Sequence, residues 1–549
     1  MEIKTLKKME KKAQKASGAD FIKVGIAILF MAMVLLYSFS TSSGNIPDNT
    51  FLAIAALFGA YMAMNIGAND VANNVGPAVG SKALTMGGAI AIAAIFEAGG
   101  AFIAGGDVVE TIKKGIIDIS AFGQDTHMFI WAMMAALLAA ALWLNFATYF
   151  RAPVSTTHSI VGGVMGAGVA AAGFSIVAWG TMGKIIASWI ISPLLGGVIA
   201  AAFLYAIKKT IVFKEDKISA GKKWIPLYVS IMSWAFVTYL ILKGFKHIWP
   251  SIVAFVNTYL FAILPVTKKP TFLTALILGF IISAAIFVWV KRSLARENAL
   301  VENDRKSINT LFTIPLIFAA ALLSFAHGAN DVANAIGPLA AISDAVTSGG
   351  ISTKAGIPFW VMAVGAIGIS IGLALYGPKL IKTVGSEITE LDQIRAFSIA
   401  IAAAITVIVA SQLGLPVSST HIAVGGVFGV GFLREWLDST DEAEIISQRE
   451  EKMAEERKTL HAYHHELETL EEKEEKKKAD YQRIVSLYKL IEDMEEKIKR
   501  DKKVLKSAMK TKYVKRDAVK KIIAAWVITV PAAAILSAMI FFMIKGIAG

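Results

Sequence analysis

Eleven apolar stretches, each long enough or nearly long enough to cross a bilayer, recur along this chain of 549 residues. They run over 24–40, 51–66, 85–104, 128–148, 182–207, 225–243, 271–290, 311–326, 358–376, 397–413 and 521–545. In hydrocarbon every backbone N–H and C=O must find a partner inside the protein. About 20 apolar residues satisfy that demand as one helix. The chain therefore reads as an all-α polytopic membrane protein, in keeping with a mean hydropathy of +0.59. Segment 247–263 fits a span, a re-entrant segment or an interfacial one.

Two of the stretches carry the same heptapeptide. GANDVAN stands at Gly67–Asn73 and again at Gly328–Asn334. An Asn-Asp pair at membrane depth lacks water, so such groups face a protein interior and mark function. Two copies in two halves of one membrane protein point to a site built by internal duplication. The duplication extends further. PVSTTH (Pro153–His158) returns as PVSSTH (Pro416–His421), and KIIASWIIS (Lys184–Ser192) as KIIAAWVIT (Lys521–Thr529). The two aspartates lie 261 residues apart and the two histidines 263, so one unit has been copied whole. The two lysines lie 337 apart, which places an insertion of 74 residues between His421 and Lys521.

Charge sets the expected topology. The N-terminal tail (Lys4, Lys7, Lys8, Lys11, Lys12, Lys15) and the loops 208–223 and 291–306 are basic, and such segments stay cytoplasmic. Both loops lie inside if 225–243 and 271–290 span and 247–263 does not. The first GANDVAN is then entered from outside and the second from inside, giving inverted-topology repeats. A cleaved signal peptide over 1–43 is the competing reading of the N-terminus. Its long basic region and weak cleavage context argue against it. The expected organisation is a basic tail and extra span (1–50), a first transport repeat (51–209), connecting loops and spans (210–310), a second repeat (311–431), a cytoplasmic insertion (432–520) and the last span (521–549). The setting is the plasma (inner) membrane, with membrane lipid as surroundings and room for a homo-oligomer. The net charge of +13 sits mostly in membrane-flanking lysines, and no nucleic-acid motif accompanies it. With no cysteine, disulfides and thiolate metal sites are excluded.

The insertion lacks Gly and Pro over 432–520. Apolar residues fall at Ile446, Met453, Leu460 and Leu467, then at Ile484, Leu487, Ile491, Met494 and Ile498, a coiled-coil period. Residues 434–480 carry 16 acidic and 9 basic side chains, and 483–520 carry 6 acidic and 13 basic. Such arms suit an antiparallel helical hairpin turning near 473–480. His461, His464 and His465 read as solvated helix surface rather than a metal site.

Small residues around Asn69-Asp70 and Asn330-Asp331 let a helix break there and let backbones approach closely. Broken helices expose ends that attract ions. In PVSTTH and PVSSTH, Pro starts a half-helix whose first turn holds three hydroxyls and an imidazole. Hydroxyls and free N–H groups at a helix N-terminus form an oxyanion cradle, and Gly162-Gly163 and Gly425-Gly426 permit re-entrant packing. A cradle for an anion facing Asp70 and Asp331 is electrostatically inconsistent unless a cation or proton joins it. The residues thus argue for cation-coupled anion transport.

Here the chain resembles the inorganic phosphate transporter (Pit) family. The resemblance rests on GANDVANNVGPAVGSKALT (Gly67–Thr85), IFEAGG (Ile95–Gly100), VETIKKGIID (Val109–Asp118), PVSTTHSIVGG, KIIASWIISPLLGG (Lys184–Gly197), FAHGANDVANAIGPLAAI (Phe325–Ile342) and LGLPVSSTH (Leu413–His421). It implies symport of inorganic phosphate with Na⁺ or H⁺ by alternating access, and no cofactor beyond the coupling ion. The implied substrate residues are Ser155, Thr156, Thr157, Ser418, Ser419, Thr420, Asn69 and Asn330. Asp70, Asp331, Asn73, Asn334 and Glu97 are implied for the coupling cation, with Na⁺ at Asp70 and Asp331. His158 and His421 suit packing as well as substrate contact. Three departures stand out. Ala400 occupies a place where the family commonly has Glu, the extra span 24–40 lies outside the repeat, and the insertion is not a general family feature. A sulfate permease of the same fold is the nearest alternative. A membrane-anchored coiled-coil scaffold or sensor would need no duplicated polar site. No GxSxG or HExxH supports an enzyme.

Overall fold

Each apolar stretch folds as a helix in the computed structural model. It describes residues 3–41, 49–123, 125–150, 154–246, 248–259, 264–296, 302–348, 350–351, 356–387, 391–473, 477–508 and 516–548. Pro153 and Gly549 lie outside them. The first half comprises α1 (Ile3–Thr41), α2 (Asn49–Asn69), α3 (Val71–Gly80), α4 (Met86–Ala104), α5 (Gly106–Lys114), α6 (Thr126–Tyr149), α7 (Thr156–Ala172) and α8 (Trp179–Ile207). Then come α9 (Lys217–Tyr239), α10 (Trp249–Tyr259), α11 (Phe272–Arg296) and α12 (Arg305–Leu311). The second half holds α13 (Thr313–Ser348), α14 (Phe359–Glu387), α15 (Gln393–Gln412), α16 (Ser419–Glu471), α17 (Lys478–Ala508) and α18 (Arg516–Ala548). Among the described residues, 11 helices are long and apolar enough to cross a membrane. They coincide with the eleven stretches. At 11 residues, α10 is too short to span, while residues 247 and 260–263 lie outside the described residues.

The helix starts follow from capping chemistry. Thr85, Asp125, Asp216, Asp304 and Asp392 each accept a hydrogen bond from a backbone N–H three residues on, satisfying a donor the helix leaves free. Ser155 and Ser418 do the same inside the protein, at the starts of α7 and α16.

Glycines set how closely the core helices approach. A Cβ at Gly67 would fall 1.9 Å from the Ile369 carbonyl oxygen, and one at Gly328 would fall 2.1 Å from that of Glu97. The backbones of α2 and α14, and of α13 and α4, therefore touch. Gly162 and Gly166 seat α7 on Val530 and Ala534 of α18 in the same way, and Gly425 seats α16 on Pro193 of α8. By these equivalent contacts the place matching Glu97 on α4 is Ile369 on α14, while Ala400 lies on α15.

The helix breaks expected at the two aspartates are not found. At Asp70 the chain makes only one tightened turn, with αR angles and an Asn73 N–H to Asp70 carbonyl bond of 3.0 Å. At Asp331, α13 runs on without interruption for 36 residues. Side chains from other helices serve the polar groups there, so the backbone need not unwind to do so.

Residues Gly431–Lys515 form a separate unit. Within it α16 and α17 pack antiparallel, as Glu456 pairs with Lys497 at 2.9 Å and Glu466 with Arg483 at 2.8 Å. Leu467, Leu487 and Ile491 form its core, flanked by Leu460, Tyr463, Leu470 and Ile484. Lys473, just past α16, pairs with Asp480 in the first turn of α17 at 3.1 Å. The side chain of Ile446 lies outside the described residues.

Two outcomes follow. Gly328→Ala aims a methyl at a backbone oxygen and should destabilise the protein by about 1–3 kcal/mol. Gly87→Ala, with open space around it, should not, and thermal unfolding of both in detergent compares them. Hydrogen bonding to Arg483 holds the Glu466 carboxyl below the usual glutamate range. Its stabilising contribution is present above the unfolded value of ~4.3 and is lost as pH falls through the lower folded value. Circular dichroism should show acid weakening the hairpin more in the parent chain than in Glu466→Gln.

Candidate functional site

Four chain segments converge in the interior: the Asn69–Asn74 turn, the middle of α13, and the first turns of α7 and α16. Asp70, Asp331, Thr156 and Thr157 are fully buried, and so is Thr420. The sequence separates these groups by up to 350 residues, and the glycine contacts bring them within hydrogen-bond range.

Asp70 is well supplied with donors. Thr156 Oγ1 donates to its Oδ2 at 2.6 Å and Thr420 Oγ1 to its Oδ1 at 3.0 Å. Asn69 adds a 3.1 Å bond to Oδ1 when its amide oxygen accepts from Thr148, the orientation that satisfies every neighbour. Asp331 is not so supplied. Its Oδ2 lies 3.1 Å from the same Thr156 hydroxyl, and its Oδ1 has no partner among the described residues. A hydroxyl carries one proton and cannot donate to two carboxylates at once. Thr156 faces Asp70 at the shorter distance, which leaves Asp331 buried with no hydrogen-bond donor of its own, its nearest basic neighbour being the His327 ring at 3.1 Å. An uncompensated buried carboxylate is strongly unfavourable. The pair therefore calls for a proton or a cation.

The asparagines tie the halves together. Asn73 Nδ2 donates to Thr420 Oγ1 at 2.8 Å, and Asn334 Nδ2 makes the equivalent bond to Thr157 Oγ1 at 3.1 Å. Asn330 Nδ2 donates to Ser411 and to the Leu415 carbonyl, while its oxygen accepts from Val417 N–H. Asn69 and Asn330 thus anchor the segments that lead into the two half-helices. Ser155 and Ser418 are committed to capping. Ser419 is buried, and its hydroxyl has no partner among the described residues.

Glu97 sits beside this centre, joined to it by a residue the sequence reading missed. His327 Nδ1 lies 2.6 Å from Glu97 Oε2, and Asn74 Nδ2 donates to Glu97 Oε1 at 2.8 Å. The other ring nitrogen of His327 faces Asp331 Oδ2 at 3.1 Å, off hydrogen-bond geometry, so that contact is electrostatic. Ligand atoms of Asp70, His327 and Asp331 all lie within 4.8 Å of one another. The available signal was a difference between the copies. His327 precedes the second motif where Ile66 precedes the first, and Asn74 stands where the second has Ala335.

His158 and His421 lie apart from the carboxylates. Their rings face each other at 4.5 Å, bracketed by Trp189 and Trp526. Those tryptophans belong to the third duplicated segment, so it supplies ring packing for the second.

Comparison with known proteins identifies the family. Residues 66–537 match the phosphate transporter family. A Helicobacter pylori (strain J99) protein provisionally named a phosphate permease is 50% identical, covering 98% of each chain. A Pyrococcus abyssi protein with the same provisional name is 39% identical over 70% of this chain and 89% of its own. The solved structure of "The sodium-dependent phosphate transporter" superposes with a TM-score of 0.69 at 30% identity, covering 90% of this chain and 99% of that one. With its eleven candidate spans, this chain is a multi-pass membrane protein and a non-enzymatic member of the phosphate transporter family.

Proposed function

We propose that this protein carries inorganic phosphate across the plasma (inner) membrane by alternating access, together with Na⁺ or H⁺. The observation that carries the coupling is the single Thr156 hydroxyl shared between Asp70 and Asp331. Phosphate brought to the first turns of α7 and α16 meets helix N-termini, the hydroxyls of Thr156, Thr157, Ser419 and Thr420, and two carboxylates. The hydroxyls and N–H groups attract it, and the carboxylates repel it until a cation or proton neutralises them. Anion binding is then conditional on the cation, which is the requirement for symport. Na⁺ prefers oxygen ligands, and Asp70 and Asp331 offer them, with the amide oxygens of Asn73 and Asn334 nearby. Glu97 with His327 forms a second charged layer behind Asp331. The family match and the likeness to a sodium-dependent phosphate transporter support phosphate as substrate. The two halves are read as inverted repeats, with the basic tail and the 432–520 coiled-coil insertion on the cytoplasmic side.

Uptake of labelled phosphate into vesicles holding the purified protein tests the substrate. Unlabelled phosphate and arsenate should compete well and sulfate poorly. Sulfate competing as well as phosphate would reassign the protein to a broader oxyanion permease.

Ser419 gives the cleanest test of the cradle, because its hydroxyl serves nothing else among the described residues. Losing one hydrogen bond to a charged ligand costs roughly 1.5–3 kcal/mol, or about ten- to a hundredfold in affinity. Ser419→Ala should weaken phosphate binding by that factor at fixed cation, and Thr156→Ala by at least as much. Unchanged affinity in both would assign the hydroxyls to packing. Asp70→Asn and Asp331→Asn keep shape and remove charge. Each should abolish gradient-driven accumulation while leaving measurable phosphate binding that no longer responds to cation. Mutants retaining the wild-type cation response would move the coupling site elsewhere, with Glu97 next.

A further inference from the structure

A cavity of about 820 Å³ lies outside the polar site, walled by α4, α9, α11, α12 and α13. Its end away from α12 is apolar and aromatic, formed by Phe96, Phe236, Phe318 and Leu322. Its other end is edged by Ser293 at the end of α11 and by Ser307 and Thr310 on α12. The orientation of the walls follows from their contacts. Helices α9 and α11 run antiparallel, since Ser230 bonds to the Ser283 carbonyl and Trp234 to that of Leu276. That pairing puts the start of α9 level with the end of α11. Ile308 and Leu311 of α12 lie next to Gly221 near the same end. Lys291, Arg292 and Lys306, chain neighbours of the lining residues Val290, Ser293 and Ser307, and Lys222 and Lys223 at the start of α9 therefore lie toward that one end of the cavity. No ion pair to any of the five is found among the described residues. The acids there, Asp216 and Asp304, accept backbone N–H bonds as helix caps and feel Lys222 and Lys306 electrostatically at longer range, and Arg305 pairs with Asp392. Glu215 and Glu302 remain exposed at the same end.

From this arrangement we propose that the cavity is a binding site for an acidic glycerophospholipid. Its acyl chain occupies the apolar end, and its phosphate meets the lysines and arginine at the other. Water does not favour an apolar void of this kind, and an unfilled one forfeits the dispersion contacts of its lining. An acyl chain from the bilayer supplies them. Acyl chains alone gain little by leaving bulk lipid for another apolar surface, so selection falls to the charged end, where clustered bases attract anionic headgroups. The aromatic wall connects the lipid to the transport centre. Phe96 is adjacent to Glu97 on α4, and Phe236 packs edge-on at 5.2 Å against Phe325, two residues before His327. An occupied cavity braces α4 and α13 against α9. The inference rests on the membrane placement alone and holds whichever oxyanion is carried.

The test uses the full chain in nanodiscs doped with photoactivatable phosphatidylglycerol or phosphatidylcholine, each with the reactive group near the chain terminus. Mass spectrometry then maps the labelled residues. Phosphatidylglycerol should label Phe96, Phe236 and Phe318 peptides at least fivefold above the lipid-facing surface of α18 around Ile535 and Phe542. Phosphatidylcholine should label them at the surface level. Ser233→Trp fills the cavity and should remove the excess labelling. The exposed triple variant Lys291→Gln, Arg292→Gln, Lys306→Gln should erase the preference for phosphatidylglycerol and leave folding intact, so it decides the matter even if Ser233→Trp is unstable. Equal labelling by both lipids in the parent chain, or labelling no greater than on α18, would overturn the proposal.

Discussion

Two carboxylates buried around one hydroxyl proton set the terms for the rest of the molecule. Asp70 and Asp331 are both inaccessible to solvent, and Thr156 stands between them. Holding them there requires donors from four segments that the chain delivers far apart in sequence. The glycine contacts of α13 with α4, α2 with α14, α7 with α18 and α16 with α8 make that convergence possible. Asn69 and Asn330 pin the segments entering α7 and α16, and Ser155 and Ser418 start those helices at the site.

The halves contribute equivalent parts without equivalent electrostatics. Asn73 with Thr420 and Asn334 with Thr157 are matched pairs, as are Asn69 with Thr148 and Asn330 with Ser411. The donors, however, favour Asp70. The Glu97–His327–Asn74 cluster has only Ile369, Ile66 and Ala335 in the matching places. Asp331 instead faces the His327 ring, with Glu97 behind it. The two copies of a duplicated scaffold thus differ at the positions around Asp331.

Much of this is legible in the sequence because hydrocarbon permits few solutions. Apolar length alone locates every long span, and a polar heptapeptide repeated inside two of them locates the centre. The hydroxyl motifs announce helix starts, and both motifs do start helices. What escapes depends on contacts between helices. The counterpart of Glu97 stays hidden because nothing in the sequence reveals that α4 corresponds to α14. His327 is easily overlooked because it adjoins the repeated motif instead of belonging to it. The helix break is over-read because Gly and Asn permit unwinding but do not require it when neighbouring side chains meet the polar groups.

If Asp70 and Asp331 govern coupling, the anion cannot bind beside them unless positive charge comes with it. Isothermal titration of phosphate into the wild-type protein, in Na⁺ and in choline buffers across a range of pH, measures that dependence. Phosphate affinity should rise steeply with Na⁺ at fixed pH, or with acidity in the absence of Na⁺, and be lost when both are withdrawn. Phosphate binding of the same strength in choline at high pH as in Na⁺ would show that the carboxylate pair does not control the anion.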